Sequence, residues 1–178
     1  MEKTKIKGLI AATVTPMEKN GDINLTAIDA YAEHLIKLGV AGVFVCGTTG
    51  ESLFLDTEER KKVAEAWMKF SDRLKILVHV GSTSYRILSE LAVQAGLIGA
   101  DAISAMGPCF LQPNRVEELV QFNKLIAEKA PGIPYYYYHI PTTSGVNIHM
   151  PAFLEKAASE IPTLNGIKYT SYNPMEMQ

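Results

Sequence analysis

The chain has 178 residues, of which 47% are hydrophobic and 20% charged, and its formal net charge is −2. This is the composition of an ordinary globular domain, long enough to bury a sizeable core. It carries no basic patch and no aromatic RNA-binding motif, which argues against nucleic acid as a partner.

The opening stretch MEKTKIKGLIAATVTP sets charges ahead of a short apolar run that ends in a turn. It reads as a first strand over 8–16 rather than a signal peptide or membrane helix, so a cytoplasmic chain without membrane contact is expected. Further β-branched or aromatic runs follow: GVFVCG (42–47), KILVHVG (75–81), ADAISAMGP (100–108), PYYYYHIP (134–141) and GIKYT (166–170). Between them lie amphipathic segments, LTAIDAYAEHLIKLG, DTEERKKVAEAWMKF, SYRILSELAVQAGLIG, NRVEELVQFNKLIAEKA and MPAFLEKAASEI. In the second of these, Val63, Trp67 and Phe70 recur at helical spacing with charges opposite.

The strand-like runs start at 8, 42, 75, 100, 134 and 166, steps of 34, 33, 25, 34 and 32 residues. A unit of that length, repeated, is a βα repeat. Apolar strands joined by crossover helices imply a parallel sheet covered by helices. An open doubly wound sheet and a (β/α)8 barrel both fit. No G-x-G-x-x-G follows the first strand, which weakens the dinucleotide-binding version. Polar residues gather instead at strand C-termini, where a barrel carries its active site: Thr13 and Thr15, Thr48 and Thr49, Ser82 and Thr83, Tyr138 and His139, Lys168 and Thr170. The fold expected is therefore an α/β (β/α)8 TIM barrel. Such a barrel needs eight units and roughly 250 residues, so residues 1–178 read as a partial barrel, strands 1 to 6 with the last two units missing.

Lys168 sits in an apolar strand, where a charged ammonium is costly to bury unless it is paired or its pKa is depressed. A neutral amine there is a nucleophile towards ketones and gives a Schiff base. The alternative is a strand-end lysine whose head reaches water. In YYYYHIPTTSG alternate tyrosines face opposite sides, so Tyr136 and Tyr138 share one face and Tyr135 and Tyr137 the other. Tyr138 lies nearest the C-terminal end and is placed to shuttle a proton; packing with satisfied hydroxyls is the alternative for each. GTTGES (47–52) is a glycine-flanked turn running towards a helix. Its backbone N–H groups, with the Thr48 and Thr49 hydroxyls, suit a carboxylate, and it lacks the P-loop spacing and lysine. Glu51 is expected to shape this turn by hydrogen-bonding backbone, with an acid/base role as the alternative, and His79 to be a satisfied core histidine rather than a catalytic one. Cys46, Cys109 and the histidines at 34, 79, 139 and 149 have no metal-type spacing, so no metal site is expected.

Together, AATVTP, GTTGE, YYYYHIP..SG and GIKYTS, in this order on successive βα units, resemble the N-acetylneuraminate lyase and dihydrodipicolinate synthase family of class I pyruvate-dependent aldolases. The resemblance covers the whole chain and implies the barrel. It also implies that Lys168 forms the Schiff base with pyruvate or a 2-oxo acid and that Tyr138 moves a proton at the bond made or broken. Gly47, Thr48, Thr49 and Thr170 fall to substrate binding, with Thr48 and Thr49 holding the pyruvate carboxylate and the Thr48 hydroxyl relaying to Tyr138. Synthase-like members would place an arginine at Thr143; the uncharged pair there resembles the sialic acid lyases. The implied reaction is reversible cleavage of N-acetylneuraminate to N-acetylmannosamine and pyruvate, with no metal or organic cofactor and a homotetrameric assembly. Phe110 stands where the family can place a tyrosine that reaches a neighbouring subunit.

Sugar-binding residues of the family lie largely beyond the lysine. Activity is therefore expected of a full-length protein and little of these 178 residues alone, whose end strands, 8–16 and 166–170, would have open edges. A catalytically inactive short form with an interaction role is one alternative. Another pyruvate-type aldolase, such as 2-keto-3-deoxygluconate aldolase or dihydrodipicolinate synthase, is the other.

Overall fold

The computed structural model describes residues 5–177. Residues 1–4 of the opening stretch and Gln178 lie outside the described residues. Strands and helices alternate as the repeat predicts: β1 (Ile10–Ala12), α1 (Ala27–Lys37), β2 (Gly42–Val45), α2 (Thr57–Met68), β3 (Lys75–His79), α3 (Tyr85–Leu97), β4 (Ala102–Met106), α4 (Val116–Ala127), β5 (Tyr135–His139), α5 (Pro141–Ser144), α6 (Met150–Glu160) and β6 (Leu164–Tyr169). The strands form one sheet in the order β1-β2-β3-β4-β5-β6, with parallel registers from β1 to β2, β2 to β3 and β5 to β6. This is the parallel α/β arrangement of six successive barrel units.

The chain divides into two compact units, Met1–His79 with Gln94–Ile103, and Val80–Val93 with Ser104–Gln178. In the first unit, β2 is buried along its whole length, which explains its unbroken apolar sequence. Helix α2 begins at a reciprocal capping box: the Glu59 amide donates to Asp56 Oδ1 at 2.7 Å and the Asp56 amide to Glu59 Oε2 at 2.9 Å. The expected stripe is buried, with Val63 and Trp67 inaccessible and Phe70 nearly so. Trp67 meets Tyr31 of α1 edge-on at 5.5 Å between ring centroids, tying the two helices together.

In the second unit, α4 and α6 pack on each other. Tyr135 and Tyr137 of β5 point to that helical layer and are fully buried. The Tyr135 hydroxyl donates to Asn123 Oδ1 on α4, and the Tyr137 ring lies 4.9 Å from that of Phe153 on α6.

Strand lengths differ from the sequence reading for local reasons. β1 is only Ile10–Ala12, although the Thr13 amide still donates to Phe44 O at 3.2 Å. β5 stops at His139, because Pro141 starts a single helical turn, α5, in a stretch read as strand end and loop. β6 starts at Leu164, two residues before the expected Gly166 (166 − 164 = 2), and its pairing with β5 is irregular between Tyr135 and Tyr136.

Candidate active site

The register of β5 and β6 sets Tyr138 opposite Lys168 and Tyr136 opposite Gly166. Since Tyr135 and Tyr137 face the helices, these residues share the other side of the sheet. Lys168 is half-buried, and its Nζ lies 3.8 Å from the centre of the Tyr138 ring and 3.2 Å from Thr170 Oγ1. The amine therefore rests on the aromatic face of Tyr138, within reach of the Thr170 hydroxyl. Gly166 leaves room for Tyr136, since a Cβ at 166 would come within 3.3 Å of that ring. Asn165 Nδ2, at the irregularity, donates to the Tyr136 hydroxyl at 2.6 Å. The Lys168 head lies on the Tyr138 side of the sheet, on the face opposite Tyr135 and Tyr137, and is half-buried there.

The GTTGES turn is built differently. Its own geometry consumes three amides: Gly50 and Ser52 donate to Gly47 O, and Glu51 to Thr48 O. Thr48 and Thr49 are exposed on this turn, while Gly47 is buried. Gly47 has a steric reason to be glycine, since a Cβ there would sit 2.6 Å from the Phe44 ring. Thr15 Oγ1 donates to Gly50 O at 2.8 Å and pins the turn to the segment after β1.

Glu51 does shape the turn, but through its backbone, at φ 55°. Its exposed carboxylate makes no hydrogen bond among the described residues. His79 is the expected core histidine, 2% exposed, with Nδ1 2.9 Å from Cys46 O. Burial pushes the Cys46 thiol up to about 11, so it is a poor nucleophile.

The sequence-predicted residues thus fall into two local groups. Lys168, Tyr138 and Thr170 come together in the second unit, and Gly47, Thr48 and Thr49 lie on one turn of the first. Thr143 is exposed on α5, and Phe110 is exposed in the loop after β4. Among the described residues no group of three His, Cys, Asp or Glu side chains could hold a metal ion, and no helix is long and apolar enough to cross a membrane.

Sequence reasoning missed Arg60, which is 4% exposed and donates from Nη2 to His79 O at 2.7 Å. In the charged run EERKK it reads as a solvated residue. Its position was the overlooked signal: Arg60 precedes Val63, Ala64 and Trp67 by three, four and seven residues, on the buried stripe of α2.

The family model for the dihydrodipicolinate synthetase family matches residues 5–178. Human N-acetylneuraminate lyase is 45% identical over 171 residues, 94% of this chain and 53% of that protein. N-acetylneuraminate lyase A of Xenopus laevis is 43% identical over 175 residues, 97% of this chain and 57% of its own. Among solved structures, Proteus mirabilis N-acetylneuraminate lyase superimposes with a TM-score of 0.95 at 43% identity, covering 98% of this chain and 59% of that one. The chain spans about half the length of the curated relatives it matches.

Proposed function

The chain belongs to the dihydrodipicolinate synthetase family, and from that premise we propose that the protein is a Schiff-base lyase cleaving N-acetylneuraminate reversibly to N-acetylmannosamine and pyruvate. The observation that carries this reading is the Lys168 amine resting 3.8 Å from the centre of the Tyr138 ring, on directly paired strands.

Lys168 Nζ adds to the C2 carbonyl of the open-chain sugar acid, and loss of water leaves an iminium. The iminium draws in the electron pair of the C3–C4 bond as that bond breaks. Tyr138, having given its own proton to the hydroxyl lost as water in iminium formation, takes up the proton of the C4 hydroxyl, which becomes the aldehyde of N-acetylmannosamine. The enamine left on Lys168 is protonated at C3, and water hydrolyses the imine to release pyruvate and the free amine. Thr48 and Thr49, supported by Gly47, hold the substrate carboxylate, and Thr170 steadies the amine. The steps need no metal or organic cofactor. The barrel domain of which residues 1–178 supply strands 1 to 6 works as a cytoplasmic homotetramer in this reading.

The relatives named N-acetylneuraminate lyase support this substrate over 2-keto-3-deoxygluconate. Thr143, exposed and uncharged, argues against the dihydrodipicolinate synthase reaction, whose second substrate carries a carboxylate to be gripped. Pyruvate release is the test, measured on the full-length protein with N-acetylneuraminate or 2-keto-3-deoxygluconate at equal concentration. Faster release from N-acetylneuraminate is expected; preference for the other sugar acid, or none from either, overturns the assignment.

A further inference from the structure

Cys46 turns out of β2 at φ 55°, in the left-handed region that a side chain bearing a Cβ rarely adopts. Nothing in the sequence marks it, because glycine follows at 47 rather than standing at 46. This corner launches the Gly47–Thr48–Thr49 segment, so its angle sets where both threonines point. A conformation of this kind persists only when its surroundings hold it.

The holding groups are buried polar side chains that the proposed chemistry does not use. The Cys46 carbonyl can only accept, so His79 Nδ1, 2.9 Å away, carries the proton and donates. Ser52 Oγ, at the far end of the same turn, lies 3.5 Å from that nitrogen. The His79 carbonyl in turn accepts from Arg60 Nη2 at 2.7 Å, and Cys46 Sγ approaches Arg60 O at 3.8 Å. Arg60, His79, Ser52 and Cys46 are each no more than 4% exposed. A buried guanidinium is expensive to keep, and burial lowers its pKa. Here it grips the end of β3, which grips the corner of β2.

We propose that Arg60 and His79 are positioning residues that hold the strained Cys46 corner, and through it fix the Thr48–Thr49 turn to receive a 2-oxo acid carboxylate. The inference rests on the lyase reading, in which that turn binds pyruvate. Neither side chain touches substrate; they act by preorganising the turn, which lowers the ordering cost of binding an anion.

The test measures, on the full-length protein, the pyruvate concentration that half-saturates borohydride trapping at Lys168. His79→Leu removes the donor at nearly constant volume and is expected to raise that concentration about tenfold while the trapped plateau stays at the wild-type level. His79→Asn returns an amide N–H to the Nδ1 position and is expected to restore it to within about threefold. Methyl pyruvate, whose ester offers no anion to place, should half-saturate alike in wild type and His79→Leu. Should His79→Leu fail to fold, Arg60→Met is read in the same assay, with a shift of about threefold expected. Unchanged half-saturation in a folded variant, or an equal shift for methyl pyruvate, overturns the positioning role alone. A wild-type protein that traps no pyruvate at Lys168 sinks the lyase reading and this inference with it.

Discussion

The two faces of β5 carry the same side chain to opposite ends. Tyr135 and Tyr137 are sealed against α4 and α6, where burial pushes both phenols far above their ordinary range. Tyr136 and Tyr138 look the other way, onto Gly166 and Lys168. A phenol without water cannot give or take protons near neutrality, so the helical face serves packing. Only the opposite face meets an amine, that of Lys168. The contrast shows that tyrosine's role here is set by which side of the strand it occupies.

That contrast breaks most visibly in turnover. Tyr138→Phe keeps the ring under Lys168 but loses the hydroxyl, and cleavage should fall about 10²- to 10⁴-fold. Its pyruvate adduct and its melting temperature should hold. Tyr136→Phe, on the same face but paired with Asn165, should turn over near the wild-type rate; equal losses in the two variants would mean that the face, not Tyr138, was identified.

On the sealed side the readout is stability instead. Phe153→Ala removes the ring packed on Tyr137 and should cost about 3–5 kcal/mol in denaturant unfolding. Tyr135→Phe leaves the buried Asn123 Oδ1 without its donor and should cost about 1–3 kcal/mol, while Asn123 Nδ2 keeps its bond to Leu119 O. A Tyr135→Phe protein as stable as wild type would show that the hydroxyl is not needed there.

The smallest effect is in pH. His139, at the end of the sealed face, stacks on Tyr169 at 5.2 Å, and burial lowers its pKa while the charge of Glu176 opposes that shift. Its folded value is below its unfolded one, so the fold prefers neutral imidazole. That contribution is full above about pH 6.5 and is lost as pH falls through the folded value. Melting temperature should drop between neutral pH and mildly acidic pH, and His139→Asn should flatten the drop. A variant with the same slope would assign the effect elsewhere.

Much of this was legible before any coordinates. The period of two in YYYYH separates the tyrosines, and the apolar frame of Lys168 marks it as unusual. Both are local signals that a strand must obey. What the sequence hid depends on contacts distant in the chain. Cys46 and Glu51 take left-handed angles without being glycine, and the partner that holds Cys46 lies at 79. Arg60 looks solvated because its neighbours are charged, yet it falls on the stripe of Trp67. The turn at Pro141 was misread because the apolar run continues to Ile140, whereas a proline with its fixed φ readily opens a helical turn.

The central claim is that Lys168 is the amine that condenses with the keto acid. Borohydride reduction of the full-length protein in the presence of pyruvate, followed by peptide mass mapping, tests it directly. The account expects one stable adduct, on the peptide containing Lys168, and none in Lys168→Ala. An adduct on a different lysine, or no adduct in the wild-type protein, would contradict it.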